Sequence, residues 1–418
     1  MSSNIDKDWN NAQPSGAMST TLHANAFFLL GATTRDDRRK IVELAESAAL
    51  EADGDGPQKA RAALTMPRAR LSQEIAWLPG VAPKKALQSL ESLQKRGLDV
   101  VWDKGIPPLA RANLAAAAFE LAENLSSSLM ALSAVGLARI ADEIDVDDVM
   151  RDINEDRAVA GFPEVTDYST VEVEIFARRN AYKTAIKGAL DRMDSVDLIE
   201  AMLCMVSGFS EDSDDLPPPL VHDLVDAYAL EVEPLLSARS ERITNEIKRA
   251  LELAPEGKFK VGVAINTIEN LARAWCSLAK PIQLSAKARG TTDQSSYRIG
   301  GEIRGLGLSL NNDFNFVELA QRTTMLISEL FADVPELAEI ANRDAGNLLE
   351  IHENAAEAKR DLEKWEHSIT YRAEVGVLFK EELAIGPSGI EWKGRSYPLD
   401  SITAVRWGGV RNSINGIP

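Results

Sequence analysis

"NAFFLLGATTRDDRRKIVELAESAALEADGDGPQKARAALTMPRARLSQEIAWL", residues 25–78, decides how the chain begins to fold. It opens on a short apolar turn. A helix signal follows, with Thr33 or Thr34 as N-cap and Asp36 and Asp37 in the first turn, where carboxylates suit the helix dipole. Ile41, Leu44, Ala45 and Ala48 then share one face at helical spacing. An acidic, glycine-bearing loop breaks the pattern. Pro57 suits the start of the next helix, because its missing N–H has no partner to lose there.

Outward from this stretch the same period continues. "NLAAAAFELAENLSSSLMALSAVGLARIADEI" is rich in Ala and Leu, the strongest helix formers. Residues 161–163, Gly-Phe-Pro, read as a linker. A clearer break is "SEDSDDLPPPL" over 210–220, whose clustered acids and consecutive prolines cannot form a helix interior. Beyond it, Val261, Ile265, Ile268, Ala272 and Trp275 recur in steps of four, three, four and three, a core stripe that Pro281 is expected to end or kink. Residues 315–365 read as antiparallel helix pairs of the kind that stack in solenoids, without a clean repeat signature. Near Tyr371 the period falls to two. Leu383 and Ile385, Ile390 and Trp392, Ile402 and Val405 alternate around turn signals at 386–389 and 393–396, predicting about four antiparallel strands. So small a sheet is marginal alone, so it packs on the helices, pairs with another chain or begins a longer domain.

The totals narrow the function classes. The chain has 418 residues and a formal net charge of −18. That balance argues against a primary nucleic-acid role, which needs a basic surface. No apolar run reaches membrane-spanning length. The first 20 residues carry no signal pattern and read as a disordered leader, with Met18 an alternative start. Cys204 and Cys276 sit in apolar helical stretches without paired spacing, which predicts two buried, reduced thiols and a cytoplasmic protein.

Little chemistry is legible. His23, His222, His352 and His367 lack zinc-type partners. "ADEIDVDDVMRDINED" over 141–156 is acidic, yet a cation loop beginning at Asp145 would need Gly and Glu where Met150 and Asp156 stand. It reads as a solvated acidic face, alternatively a docking face for a basic partner. "GGEIRGLGLSL" over 300–310 lacks the phosphate-loop lysine and fits a helix with close-packing glycines. No nucleophile–base motif is present, so the expectation is a non-enzymatic protein with no cofactor and no metal.

Residues 25–78 resemble the J-domain of the Hsp40 (DnaJ) family. Asn25, Phe27, Leu30 and Gly31 match its opening helix, and "ALTMPRARL" matches its closing phrase, with Met66 and Pro67 where Asp-Pro is usual. The resemblance implies a three-helix domain that binds an Hsp70-class protein. J-domains trigger the Hsp70 ATPase through a His-Pro-Asp loop, and here Glu51, Ala52 and Asp53 stand in that place, with only Asp53 matching. Arg35, Arg38, Arg39 and Lys40 correspond to the basic face of its second helix, displaced to the helix start. "GIEWKGRSYPLDSITAVRWGG" resembles the first strands of a bacterial pleckstrin-homology-like domain. That likeness implies that Lys393, Arg395 and Arg406 face an anionic surface.

The expected architecture is mainly α. A leader over 1–20 precedes a J-like domain over 21–82, helices over 83–210 and a linker over 211–219. A helical-repeat-like region over 220–369 and a small β appendage over 370–418 follow. The expected function is that of a J-domain-like co-chaperone or adaptor. The alternative is a helical scaffold of a bacterial stress or phage-defence complex without chaperone activity.

Overall fold

The computed structural model of the protein describes residues 22–51, 54–103, 105–207, 217–375 and 380–404. The expected leader, the acids of the 211–219 linker and everything from Val405 onward lie outside the described residues. Within them the chain forms fifteen α-helices followed by one four-stranded sheet, as the change of period predicts.

The N-terminal unit contains α1 (Ala26–Leu30), α2 (Arg38–Glu51), α3 (Gly56–Thr65) and α4 (Pro67–Ile75). Asn25 caps α1 by accepting the Phe27 N–H at 3.0 Å, and Gly31 closes it at φ 61°, a left-handed geometry that glycine adopts without strain. The expected cap of α2 is corrected. The helix begins at Arg38, and Asp37 accepts the Lys40 N–H at 2.8 Å. Asp36 accepts the Thr33 N–H at 2.7 Å, while the Thr34 hydroxyl turns inward. Charged acceptors make the stronger bonds to helix N–H groups, which leaves the threonine free for another partner. Ile41 and Ala45 are buried, with Leu44 and Ala48 packed beside them, as the spacing requires.

Helices α5 (Pro83–Arg96), α6 (Pro108–Leu121), α7 (Ser127–Asp142), α8 (Val146–Ala160), α9 (Tyr168–Leu190) and α10 (Ser195–Ser207) form the middle of the molecule. α6 is buried on every side from Leu109 to Phe119, the position an alanine-rich helix without a polar face is fit to occupy. α10 turns Met202 and Met205 inward and Cys204 outward. The expectation of two buried thiols therefore holds for Cys276 alone, because the two cysteines lie on opposite kinds of helix face.

The last helices are α11 (Pro219–Leu253), α12 (Lys258–Ala288), α13 (Gln294–Asn312), α14 (Val317–Leu330) and α15 (Pro335–Ile369). α11 pairs with α12, α13 with α14 and α14 with α15, while α11 also meets α13 and α12 meets α14. The preceding pair α7 and α10 meets α11 and α12 in the same way. The α13–α14 hairpin thus stacks on the α11–α12 hairpin, as in solenoids, and the non-consecutive pair α7 and α10 extends the stack. Of the three prolines expected in a linker, Pro219 instead opens α11, a first-turn position that tolerates it.

Of the two outcomes expected at Pro281, an end or a kink, the end does not occur, since the helix runs on to Ala288. Proline leaves a carbonyl of the preceding turn without its helical donor. Around it, α11 supplies cross-helix bonds. Tyr228 donates to the Leu278 carbonyl at 2.9 Å, Arg239 donates to the Ala274 carbonyl, and Trp275 donates to the Leu236 carbonyl at 3.1 Å. The stripe from Val261 to Trp275 is fully buried against that partner.

Strands β1 (Tyr371–Val375), β2 (Glu381–Gly386), β3 (Gly389–Trp392) and β4 (Arg395–Tyr397) form an antiparallel sheet in sequential order. Leu383 faces Trp392 and Ile385 faces Ile390, the register their alternation predicts. The β3–β4 turn has Lys393 at φ 54° and Gly394 at φ 71°, the positive pair that a two-residue hairpin turn of matching twist demands.

Two of the glycines of residues 300–310, Gly300 and Gly307, serve packing. A Cβ on Gly300 would collide with Leu337 of α15, and one on Gly307 with the Thr323 hydroxyl of α14. Thr323 is held by its bond to the Ala320 carbonyl at 2.8 Å and cannot turn away freely. Gly307→Ala is expected to cost about 1–3 kcal/mol despite its better helix propensity, read as a lower urea midpoint with an unchanged slope. Gly301→Ala, whose Cβ would meet nothing, serves as the control and leaves the midpoint the same or higher.

Candidate interaction surface

The N-terminal unit is fastened to the middle helices by a cluster of buried charge. Arg70 of α4 is fully buried, as are Glu74 one turn later and Arg157 of α8. Arg70 Nε donates to Glu74 Oε1 at 2.6 Å, and Arg157 Nε donates to Glu74 Oε2 at 2.9 Å. One carboxylate therefore bridges two guanidinium groups. The remaining donors go to backbone carbonyls. Arg70 reaches Thr34 at 2.7 Å, and Arg157 reaches Pro163 at 3.0 Å and Pro67 at 3.1 Å. Burial pushes the Arg70 guanidinium below its ordinary pKa range, and Glu74 pulls back in the other direction.

Aromatic rings complete the seal. The Arg70 guanidinium lies 3.8 Å from the Phe162 ring centroid and 5.4 Å from that of Phe27. Residues 161–163 are therefore not the expected linker. Gly161 ends α8 at φ 68° so that Phe162 can fold back into the cluster. Asn154 then holds Val165 by two bonds, donating at 3.0 Å and accepting at 2.8 Å.

The same contact draws in the acidic stretch. Asp156 is only 3% exposed, and it accepts from Thr34 at 2.6 Å and Arg35 at 2.8 Å. Most of its acidic neighbours are solvated, as expected, but this residue ties α8 to the start of α2. Asn113 of α6 adds a separate tie. It donates to the Ile75 and Trp77 carbonyls at 2.9 and 2.6 Å, and accepts from Arg178 at 3.0 Å and Tyr182 at 2.9 Å. The C-terminal carbonyls of α4, which lack helical partners, are thereby satisfied from the body.

These bonds determine where the expected site residues lie. Arg35 is spent on Asp156, and Arg38 lies over Phe162 at 5.4 Å. Arg39 is 88% exposed and pairs only with Glu43 on its own helix, which Lys40 shares at 3.8 Å. Glu51 is the last residue of α2, while Ala52 and Asp53 lie outside the described residues. Leu50, beside them, is 90% exposed. At the other end of the chain Lys393 pairs with Glu381 at 3.1 Å and lies near the Trp392 ring, and Arg395 is exposed on β4. Arg406 lies outside the described residues. Among the described residues of α2, Arg39 and Lys40 are thus the exposed basic residues not engaged by the middle helices.

No group of histidine, cysteine, aspartate and glutamate able to hold a metal ion occurs among the described residues. His222 is partly buried with Nδ1 3.0 Å from the Ser285 hydroxyl, and burial with the nearby Arg289 charge lowers its pKa. Sequence reasoning missed Arg70, Glu74, Arg157 and Asn113. The one available signal was polar residues at positions where neighbouring helical turns are apolar.

Removing the central carboxylate leaves two buried cations without a counter-charge. Glu74→Ala is expected to destabilise the chain by about 3–5 kcal/mol. Arg35→Ala, whose side chain is 42% exposed, costs about 1 kcal/mol or less. Urea unfolding of both variants measures the difference.

Comparison with family models, with curated proteins and with solved structures finds no match to this chain.

Proposed function

We propose that the chain is a non-enzymatic adaptor whose J-like N-terminal unit docks on an Hsp70-class partner while the stacked helices carry a second protein. The observation that carries this reading is the α2–α3 hairpin with α1 packed across it. The two helices join between Glu51 and Gly56, next to the exposed Leu50, whereas the exposed Arg39 and Lys40 stand at the opposite end of α2, about 17 Å along its axis from that junction. A helical hairpin here supports the reading that the J-domain resemblance suggests, in which Glu51, Ala52 and Asp53 stand in place of the triggering tripeptide. Docking without ATPase stimulation is the consequence.

A second reading, a scaffold with no chaperone link, draws on a different observation. Arg35 and Arg38 are engaged within the chain, which halves the basic face available to an acidic partner.

Steady-state ATPase of the cognate Hsp70-class protein, measured with a direct binding assay, separates the readings. The expected result is binding without stimulation, weakened several-fold by Arg39→Glu with Lys40→Glu because rim charges steer association. Stimulation that disappears in Asp53→Asn would mean the altered loop still triggers the ATPase. No binding leaves the scaffold reading.

A further inference from the structure

α5 carries a polar row that its packing does not explain. Leu90 and Leu93 turn into the core. Lys85, Ser89, Ser92 and Arg96 follow one another in steps of four, three and four. At the pitch of an α-helix that spacing keeps all four within about 60° of each other around the axis. The row flanks the buried side of α5. With Gln88, and with Val100, Asp103 and Leu114 from the following 3-10 turn and α6, it lines a pocket of about 180 Å³. Val100 and Leu114 are buried and give this pocket its apolar side.

The donors of the row are unused. Ser89 is only 9% exposed, and its hydroxyl makes no hydrogen bond among the described residues. A helical hydroxyl commonly settles on the carbonyl one turn earlier, as those of Ser47 and Thr65 do here. Ser89 faces the pocket instead, where a buried hydroxyl needs a partner. Ser92 and Gln88 likewise hold no bond within the described residues. Arg96 gives one donor to the Asp99 carbonyl at 3.2 Å, and Lys85 donates to the Gly105 carbonyl. Neither base pairs with an acid among the described residues, nor do Lys84 and Lys95 beside them. Lys84 and Lys85 even stand in the first turn of α5, where positive charge opposes the helix dipole. In a chain of net charge −18 this helix holds four bases and one acid. Asp103, the acid of the lining, accepts the Gly105 N–H at 3.0 Å beside Lys85, which leaves the Ser89–Arg96 side of the pocket without an acid.

The kinds of donor identify the ligand. An ammonium, a guanidinium, two hydroxyls and an amide border one concavity. A phosphate group accepts from several directions at once, and a guanidinium fork binds two of its oxygens together. A flat carboxylate has oxygens for the fork and few for the hydroxyls. The pocket is smaller than the roughly 300–1,000 Å³ that encloses a drug-sized ligand, so it takes the phosphate end of a molecule and leaves the remainder outside.

We propose that the groove between α5 and the 3-10 turn Gly97–Trp102 is a phosphate-binding site for a small soluble molecule. Arg96 and the hydroxyls of Ser89 and Ser92 hold the phosphate oxygens, and Lys85 supplies the second positive charge. The site is independent of the adaptor reading, whose surface lies on α2.

Isothermal titration calorimetry of the full chain with inorganic pyrophosphate, in low-salt buffer free of other phosphate, tests this. Saturable binding of one equivalent per chain is expected, weakened about tenfold or more by Lys85→Gln with Arg96→Gln, because charge-assisted bonds are lost. Ser89→Ala is expected to weaken it several-fold while its urea midpoint stays the same or rises, since no bond within the chain is removed. A serine with a structural role would lower that midpoint. Lys359→Gln with Arg360→Gln removes equal charge from the exposed face of α15 and leaves the affinity unchanged. Absence of saturable binding at millimolar pyrophosphate overturns the proposal. So does an affinity that the α15 variant lowers as much as the α5 variant, or one that Ser89→Ala leaves untouched.

Discussion

The carboxylate of Glu74, shared between two buried guanidinium groups, is the constraint from which the N-terminal architecture follows. A charge taken out of water costs several kcal/mol unless it is paired and its remaining donors are satisfied. Here each donor direction of the cluster prescribes a neighbour. Arg70 needs the Thr34 carbonyl, which fixes the connection between α1 and α2. Arg157 needs the carbonyls of Pro67 and Pro163, which fix the start of α4 and the turn after α8. An apolar core of equal volume would tolerate small rotations of these helices, whereas the forked guanidinium geometry does not. The cluster acts on the relative placement of elements distant in sequence more than on net stability.

A consequence reaches the working surface. The N-terminal unit is joined to the body through α4 and α8, and again where Asn113 holds the end of α4 against α6 and α9. Its inner side is thereby used up, and the free side is the outer face of α2 with the α2–α3 junction. This unit presents one face at a fixed angle to a long helical body, so whatever docks on α2 is also positioned relative to α11 through α15.

What the sequence revealed follows from the range over which each cause acts. The Ile41 face, the Val261–Trp275 stripe and the alternation of the sheet are local patterns, and each appears where its period places it. Of the two expectations at Pro281, an end of the helix does not occur, because the propensity that breaks a helix is local, whereas Tyr228, Arg239 and the Leu236 carbonyl bind α12 from across the helix pair. Arg35, Arg70, Arg157 and Asp156 were illegible for the same reason. A charged residue in a helix is ordinarily solvated, and only a partner up to 122 positions away reverses that. Of the candidate site, the exposed Arg39 stands where the resemblance implied a contact face, and the internal use of Arg35 and Arg38 was invisible without their partners.

The helical stack also meets a problem common to such folds, since its last helix has one covered side and one without a next repeat. α15 does not resolve this as a polar cap would. Its covered half is wedged against α13 so tightly that Gly300 leaves room for Leu337 and nothing larger. Its outer half then leaves the body carrying the same apolar row, and the sheet that follows packs near its far end, where Thr370 lies against Gly386. A helix that only ended the stack would gain nothing from continuing that row for six more seam positions, because each exposed apolar side chain forgoes the stabilisation that burial supplies. The period that buries Leu337, Ala341 and Leu348 continues from Ile351 to Ile369 without burial among the described residues, so the packing of the stack accounts for the first half of α15 alone.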